Sequence, residues 1–437
     1  MTTDDQKLEE LYQQAKELAQ ADERKQLVTV FEKILDLDPL EPQAHRFLAQ
    51  WYTNEKNFEE AVKHYKAFND LVPNQEDMML TYAISLEEVG DYPGALKILR
   101  RAIRLNENNL FPYIYLGAVY EKMGENEKAS WAYSFAVDLN PSVMAQDKNK
   151  VLPRIVVERI LRLNKFIEKI GRDLQKQAVD NAKAKFPKGN FKRIEKALWR
   201  KLHGPKVGLV NKMQNPLSFY IPDLAPASWF EREDFPWVKD LEGQLGLIKK
   251  ELVKNFQGDA DVKPYLQLGG YDPKSWGDLV GNKNWAAIHF FDGMKKNEKT
   301  TKKFPHTAKV LSELPLFRVK GTPVEALFSV LKAGTAIPPH FGTSNARLTV
   351  HLPLVVPKEC YLTSGDEERP VIEGKTMLFD DSFTHKARNE SDQVRIVLIF
   401  EVWHPDLKEE EQAVVEESYI LYEKWMKNRD YDAMIDV

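Results

Sequence analysis

The stretch that decides the fold of the second half of this chain reads PHFGTSNARLTVHLPL at residues 339–354. Two further runs follow it, FDDSFTH at 379–385 and VRIVLIFEVWHP at 394–405. Short apolar runs that are separated by polar turns are typical of β-strands. The last run is apolar at nearly every position from 394 to 402, which predicts a strand that is buried on both faces.

Three side chains in these runs have the chemistry of a binding site. His340 and His385 lie at predicted strand ends, and Arg395 follows ten residues after the second histidine. Neutral imidazoles suit a metal ion, and a buried guanidinium needs an anion. The alternatives are a structural core role for each histidine and an internal salt bridge for the arginine.

The same runs resemble the aspartyl/asparaginyl β-hydroxylase family across residues 329–405, and more weakly back to the run PASWF at 226–230. This resemblance implies an oxygenase that depends on Fe(II), on 2-oxoglutarate as cosubstrate and on dioxygen. It also implies a double-stranded β-helix, a jelly-roll of the cupin-like kind. The expected reaction is hydroxylation of the β-carbon of an Asp or Asn residue in a protein. A related branch of the family hydroxylates a lipid acyl chain.

The resemblance makes His340 and His385 the metal ligands and the catalytic centre. Most oxygenases of this type place a carboxylate two residues after the first histidine, where this chain has Gly342. The β-hydroxylase family lacks that carboxylate, and water fills its place, so Gly342 agrees with the family. Asp380 and Asp381 are interpreted as turn residues or as groups that orient a histidine.

The resemblance also assigns a cosubstrate site. Arg395 would bind the distal carboxylate of 2-oxoglutarate in a planar, bidentate pair, assisted by Ser329. Trp285 would line the cosubstrate pocket, with plain core packing as its alternative. His351 would contact the cosubstrate near the metal.

One position departs from the family pattern. The family has an arginine where this chain has Thr349, and threonine carries no charge. Arg347 alternates by two with Thr349 and His351, so all three side chains are expected on one face of a strand. Whether Arg347 replaces the missing arginine stays open at this stage.

The first third of the chain has an internal period of 34 residues. Three sets of residues recur in register: Ala61, Ala95 and Ala129; Leu48, Tyr82 and Leu116; Leu37, Leu71, Leu105 and Leu139. Prolines at 39, 73 and 141 obey the same period. This pattern resembles tetratricopeptide repeats, with four units in residues 1–142 and an atypical first unit. It predicts an α-solenoid whose concave groove binds a protein or peptide substrate, whereas an unrelated helical bundle is the alternative.

A helical, basic linker is expected at 143–215, and the oxygenase domain with a C-terminal helix at 216–437. The boundary falls near Gly204-Pro205, because these residues favour a loop. Basic residues crowd positions 183–206 and suggest either a patch for an acidic or phosphate-bearing partner or a solvated helix face and linker. Single helices are predicted at 237–256 and 408–430, and a turn at 334–339.

Composition excludes several classes of protein. The chain has 437 residues, a net charge of −4 and 43% hydrophobic residues, which favours two or three folded domains and argues against a nucleic-acid binder. A single cysteine rules out an intrachain disulfide. The polar opening residues and the lack of a long apolar window predict a cytoplasmic protein without a membrane span.

The sequence thus predicts a 2-oxoglutarate-dependent dioxygenase whose repeats recruit its substrate. The alternative is a repeat-based scaffold that carries a weakened or catalytically silent β-domain, which Thr349 would explain.

Overall fold

The computed structural model describes residues 3–203, 209, 211–267 and 276–435. The chain divides into two compact units, one of residues 1–170 with 427–437 and one of residues 171–426. The predicted boundary at Gly204-Pro205 lies outside the described residues. The domain limits at 142 and 215 were drawn from repeat period and composition, and they stay a prediction.

The first unit consists of helices arranged in consecutive pairs. Their bounds are α1 Thr3–Gln20, α2 Arg24–Leu37, α3 Pro42–Asn54, α4 Phe58–Leu71, α5 Glu76–Glu88, α6 Tyr92–Leu105, α7 Leu110–Lys122 and α8 Asn126–Leu139. The second helix of every pair ends on a leucine of the 34-residue register, and a proline follows two residues later in three of the four pairs. This agreement confirms the predicted repeat.

The repeated alanines explain how the paired helices approach each other. Ala61, Ala95 and Ala129 are all 0% exposed, and each lies in the first turns of the second helix of its pair. A methyl side chain is small enough for two helix backbones to pass closely. An alanine therefore recurs every 34 residues because the close packing of each helix pair needs a small side chain at that position.

Helix α9 runs from Arg154 to Lys185, within the region 143–215 that was expected to be helical. Its first half packs on the repeats within the first unit, where Arg159 donates to the Glu87 carboxylate at 2.6 Å. The described end of the chain also packs there. Met434 is fully buried, and its carbonyl accepts hydrogen bonds from Arg100 and Tyr120.

The second unit is rich in β-sheet. Its strands are β1 Leu198–Trp199, β2 Phe219–Tyr220, β3 Trp229–Phe230, β4 Lys263–Pro264, β5 Trp285–Asp292, β6 Lys295–Lys296, β7 Arg318–Val319, β8 Thr322–Pro323, β9 Glu325–Leu331, β10 Thr335–His340, β11 Arg347–Val355, β12 Cys360–Ser364, β13 Glu367–Pro370, β14 Met377–Phe379, β15 His385–Asn389 and β16 Arg395–Trp403. An eight-stranded sheet has the order β3-β14-β11-β16-β9-β5-β4, with β6 paired to β5. A four-stranded sheet has the order β10-β15-β12-β13.

The large sheet is buried on both faces. One face packs against three helices, α11 Pro236–Gly243, α12 Leu245–Asn255 and α14 Pro305–Glu313. Two short helices complete the numbering: α10 Arg200–His203 and α13 Glu298–Lys303. The other face packs against the four-stranded sheet through residues such as Phe379 and Leu362. Two helices, α15 Glu409–Asn428 and α16 Tyr431–Ile435, end the described chain.

Two local predictions were wrong. Residues 335–340 form the strand β10 rather than a turn, because an edge strand tolerates Pro338 and Pro339, which have no backbone N–H to donate. The predicted helix at 237–256 is two helices that meet at Gln244. None of the helices in the described residues combines the length and the apolar composition that a bilayer crossing requires.

Candidate active site

One face of the large sheet carries the candidate site. Alternation along the strands sends Ala326, Phe328 and Val330 of β9 into the helix-covered core. The intervening residues of β9, including Glu325 and Ser329, therefore point to the opposite face. The same alternation applies to β5, β11 and β16, so these four central strands of the sheet supply the site from one face.

All seven predicted site residues line a single cavity of about 220 Å³, which we call the site cavity. They are Trp285, Ser329, His340, Arg347, His351, His385 and Arg395. The strands that carry them are far apart in sequence, and the two sheets bring the side chains together. This placement agrees with the proposed site, whereas the roles of the residues stay predictions.

His340 and His385 lie side by side across β10 and β15, with ring centroids 4.0 Å apart. Nδ1 of His340 is 2.9 Å from the carbonyl of Pro338, and Nδ1 of His385 is 3.0 Å from the carbonyl of Phe383. A carbonyl can only accept, so each Nδ1 carries the proton and each Nε2 keeps a free lone pair. Two oriented imidazoles with free Nε2 atoms suit a divalent metal ion.

Burial keeps both rings neutral. It lowers the pKa of His340 to about 3, with a further contribution from His385, and lowers the pKa of His385 to about 4. A neutral imidazole is the form that binds a metal. Within the described ranges, no group of three or more His, Cys, Asp or Glu residues is arranged to hold a metal ion, so these two rings would be its protein donors.

The structure gives a steric reason for glycine at position 342. A Cβ atom added there would lie 2.0 Å from Cγ of Asp381, and the Gly342 N–H donates to the Asp381 carbonyl at 2.6 Å. The carboxyl group of Asp381 thus fills the space of a side chain at 342. The usual carboxylate two residues after the first histidine would therefore require the Asp381 side chain to move.

Arg395 has the environment of an anion-binding residue. It is 1% exposed, its Nε and Nη1 atoms lack hydrogen-bond partners, and burial lowers its pKa to about 10. Ser329 lies on the neighbouring strand β9, where its hydroxyl accepts from Trp285 Nε1 at 3.3 Å. Buried donors without partners carry a free-energy cost that a bound carboxylate would offset. These residues therefore fit the distal carboxylate of 2-oxoglutarate.

His351 is close enough to Arg395 and to His385 for the charge of each to act on its ring. Its Nδ1 atom is buried without a partner, and burial, then the nearby Arg395 charge, lowers its pKa well below the usual range. A neutral His351 with an unsatisfied ring nitrogen can take part in binding a ligand next to the metal.

Arg347 lies at the end of the site cavity opposite Arg395, and its side chain already has hydrogen-bond partners there. Its Nη2 atom lies 2.9 Å from Oε1 of Glu401, and the same atom donates to Thr343. The Thr349 hydroxyl donates to Asp381 at 3.0 Å. Arg347 already has a carboxylate partner, so it is not a free substitute for the family arginine.

Sequence reasoning missed two residues of this end. Glu401 interrupts the apolar run of β16, and a carboxylate inside a buried strand was a signal that a cationic partner exists. Glu325 opens β9 and carried no such signal. Burial raises the pKa of Glu325 to about 7 and that of Glu401 to about 8.

Several of the described basic residues at 183–206 have acidic partners. Lys183 pairs with Glu195, Lys185 with Glu417, and Arg193 with Glu411. This pairing favours the interpretation as a solvated, ion-paired surface over a phosphate site. Lys206 lies outside the described residues.

Comparisons with known proteins bear on the same region. Residues 242–405 match the model of the family described as Aspartyl/Asparaginyl beta-hydroxylase, which confirms the resemblance seen in the sequence. The chain is 25% identical over 421 residues to the mouse aspartyl/asparaginyl beta-hydroxylase, covering 90% of this chain and 54% of the mouse protein. It is 27% identical over 179 residues to the ornithine lipid ester-linked acyl 2-hydroxylase of Rhizobium tropici, covering 40% and 60% of the two chains.

The chain spans about half the length of the curated relatives it matches. Among solved structures, the helical repeats are similar to YrrB, described as a TPR protein with an unusual peptide-binding site. That match has 17% identity and a TM-score of 0.29, and it covers 37% of this chain and 92% of YrrB.

Proposed function

We propose that this protein is an Fe(II)- and 2-oxoglutarate-dependent dioxygenase that hydroxylates an unactivated carbon of its substrate. One observation carries the proposal: two oriented, neutral histidines share a cavity with a buried arginine whose guanidinium has no partner for two of its nitrogens. Similarity to hydroxylases over residues 242–405 supports the same class of reaction.

Each residue of the site has a proposed task. Nε2 of His340 and of His385 would hold the iron, and Arg395 with Ser329 would bind the distal carboxylate of the cosubstrate. His351 would contact the cosubstrate nearer the metal, and Trp285 would shield it from water. When bound, iron and 2-oxoglutarate together supply the activation of dioxygen, and the protein orients the target carbon.

The fold that fits this arrangement is a double-stranded β-helix. The two antiparallel sheets enclose the site cavity, and the histidine pair comes from the smaller sheet while the cosubstrate residues come from the larger one. We propose this jelly-roll, cupin-like architecture for the second unit.

The substrate proposed from the family is a protein in which the β-carbon of an Asp or Asn residue is hydroxylated, recruited by the repeats in residues 1–142. The first unit already binds part of its own chain, since the Met434 and Ile435 carbonyls accept from Arg100 and Arg104. A partner would therefore use the more N-terminal repeats or displace residues 431–435. The alternative is a scaffold with a silent β-domain, which the uncharged Thr349 favours.

The first prediction tests the metal site. His340→Ala and His385→Ala should each abolish iron binding and turnover, because each removes one of two protein ligands. Iron content after anaerobic loading and succinate release from 2-oxoglutarate are the measurements. His306→Gln is the matched control, since His306 lies on α14 outside the site cavity. If both alanine variants retain iron like the parent protein, the metal binds elsewhere.

A further inference from the structure

The end of the site cavity opposite Arg395 has an unusual balance of charge. Thr349 on β11 is the register partner of Glu401 on β16. Phe400 on β16 is the register partner of Ala326 on β9, so the next residues along these two strands, Glu401 and Glu325, are neighbours. Asp381 reaches the same place through its hydrogen bond from Thr349. We call the group of Glu325, Asp381, Glu401 and Arg347 the acidic end.

The acidic end has fewer cationic groups than carboxyl groups. Arg347 is the guanidinium of the acidic end, and its ion pair with Glu401 is already formed at 2.9 Å. Glu325 has His289 at 3.9 Å, but burial lowers the pKa of His289 and favours its neutral form. Lys386 also lines the site cavity, but it is solvent-exposed on β15. The acidic end therefore lacks at least one positive charge.

The two ends of the site lie far enough apart to bind different molecules. Glu325 precedes Ser329 by four residues on one extended strand, which separates them by about 13 Å. A cosubstrate held at Arg395 and Ser329 leaves the acidic end free for another ligand.

A second cavity of about 420 Å³ opens from the acidic end, which we call the rear cavity. It shares Glu325, Thr343 and Arg347 with the site cavity. Its walls include the aromatic rings of Trp199, Tyr419 and Tyr422. Carboxylates beside aromatic faces are the surroundings that favour an organic cation.

Glu401 shows that this cavity contains an unsatisfied group. The residue lines the rear cavity, it is 3% exposed, and its Oε2 atom has no hydrogen-bond partner. A buried carboxylate oxygen without a donor costs free energy, which a ligand that donates hydrogen bonds would recover. Burial is the main cause of the raised pKa values of Glu325 and Glu401, and neighbouring carboxylates raise them further, against the opposing effect of Arg347.

We propose that the acidic end and the rear cavity bind a positively charged group of the substrate, an alkylammonium or guanidinium, with Glu325 as its main carboxylate. This inference rests on the proposed dioxygenase activity and departs from the Asp or Asn target proposed from the family, because it specifies a positive charge of the substrate next to the reaction centre. An aspartate side chain would face Glu325 and Asp381 in the site cavity, or Glu325 and Glu401 in the rear cavity. The preferred substrate therefore carries a lysine-like or arginine-like group beside the carbon that is hydroxylated.

Binding of small probes to the full chain, without iron or 2-oxoglutarate, tests the proposal. The probes are N-acetyl-lysine methylamide, N-acetyl-asparagine methylamide and N-acetyl-aspartate methylamide, measured by saturation-transfer NMR and titration. We expect the lysine probe to bind at least about tenfold more tightly than the other two, since only it forms a charge-assisted hydrogen bond with Glu325. Equal affinity for the three probes, or a preference for aspartate, overturns the proposal.

Variants of Glu325 connect the preference to this site. Glu325→Gln should remove the tenfold preference for lysine, and Glu325→Lys should favour the aspartate probe. Glu373→Gln is the matched control, because Glu373 pairs with Lys249 on the surface, away from both cavities. A lysine preference that survives in Glu325→Gln, with circular dichroism like that of the parent, contradicts the assignment.

Failure of this inference is distinguishable from failure of the proposed function. If the protein binds iron and releases succinate but the probes show no charge preference, only the cation site is wrong. If the lysine preference is present but iron does not bind, the cation site stands and the dioxygenase proposal falls.

Discussion

Two buried arginines, one in each compact unit, are used in opposite ways. Arg100 in the repeats is 9% exposed and donates to the Tyr120 hydroxyl at 2.9 Å and to the Met434 carbonyl at 3.1 Å. Arg395 in the β-rich unit is 1% exposed, and its Nε and Nη1 atoms have no partner. The first guanidinium is satisfied by the fold, and the second is left for a ligand.

The difference separates a structural residue from a binding residue. A satisfied buried charge stabilises the state that contains its partners, so its removal costs stability. A buried charge without partners lowers the stability of the ligand-free protein, and a bound ligand supplies its partner. Removal of such a charge therefore lowers the affinity for the ligand. Arg347 is an intermediate case, because it lines the site cavity and yet pairs with Glu401. Four substitutions test this comparison.

The largest effect on stability is expected for Arg347→Met. It leaves Glu401 buried without its cation and should lower the free energy of unfolding by about 3–5 kcal/mol. Urea denaturation measures the loss. The double variant Arg347→Met/Glu401→Leu should recover most of it, because both members of the ion pair are then removed together. Cosubstrate affinity should fall less than in an Arg395 variant, and an equal fall would mean that Arg347 binds 2-oxoglutarate.

Arg395→Met should act mainly on binding. Loss of the guanidinium leaves the cosubstrate carboxylate unpaired, which costs about 2–5 kcal/mol, or at least about thirtyfold in affinity. The ligand-free variant should be no less stable than the parent, since an unpaired charge has been removed. Calorimetric titration with 2-oxoglutarate and thermal unfolding give the two values. A less stable ligand-free protein with unchanged affinity would make Arg395 structural, like Arg100.

Thr349→Arg should restore a charge that the family has at this position. We expect the Michaelis constant for 2-oxoglutarate to fall about ten- to a hundredfold, because a charge-assisted hydrogen bond contributes roughly 1.5–3 kcal/mol. Thr349→Val, which removes only the hydroxyl that donates to Asp381, is the control. If the new arginine pairs only with the acidic end, the constant stays unchanged and binding of the lysine probe is lost instead.

Arg100→Met should give the smallest effect. It removes hydrogen bonds to Tyr120 and to Met434 and should lower the free energy of unfolding by about 1–3 kcal/mol. Binding of 2-oxoglutarate should be unaffected. Lys97→Met on the same helix is the control, because Lys97 is exposed. A variant as stable as the parent would show that Arg100 does not hold the chain end in place.

The parts of the fold that were predictable depend on short-range patterns. The 34-residue period located the ends of α2, α4, α6 and α8 at their leucines, since helix length and helix pairing repeat along the chain. The apolar run at 394–402 located the central strand β16 for a similar reason. The edge strand β10 was missed because it pairs with β15, a strand that lies far along the chain.

By itself, the sequence determined the repeat, the central strands and the candidate histidines and arginine, because each is recorded in residue type and spacing. Only the tertiary structure decided which charges are satisfied. It paired Arg347 with Glu401, left two Arg395 nitrogens without partners, and placed Glu325 in the same cavity. The physical reason is that hydrogen bonding and burial of a charge depend on strands that the sheet brings together from distant parts of the chain.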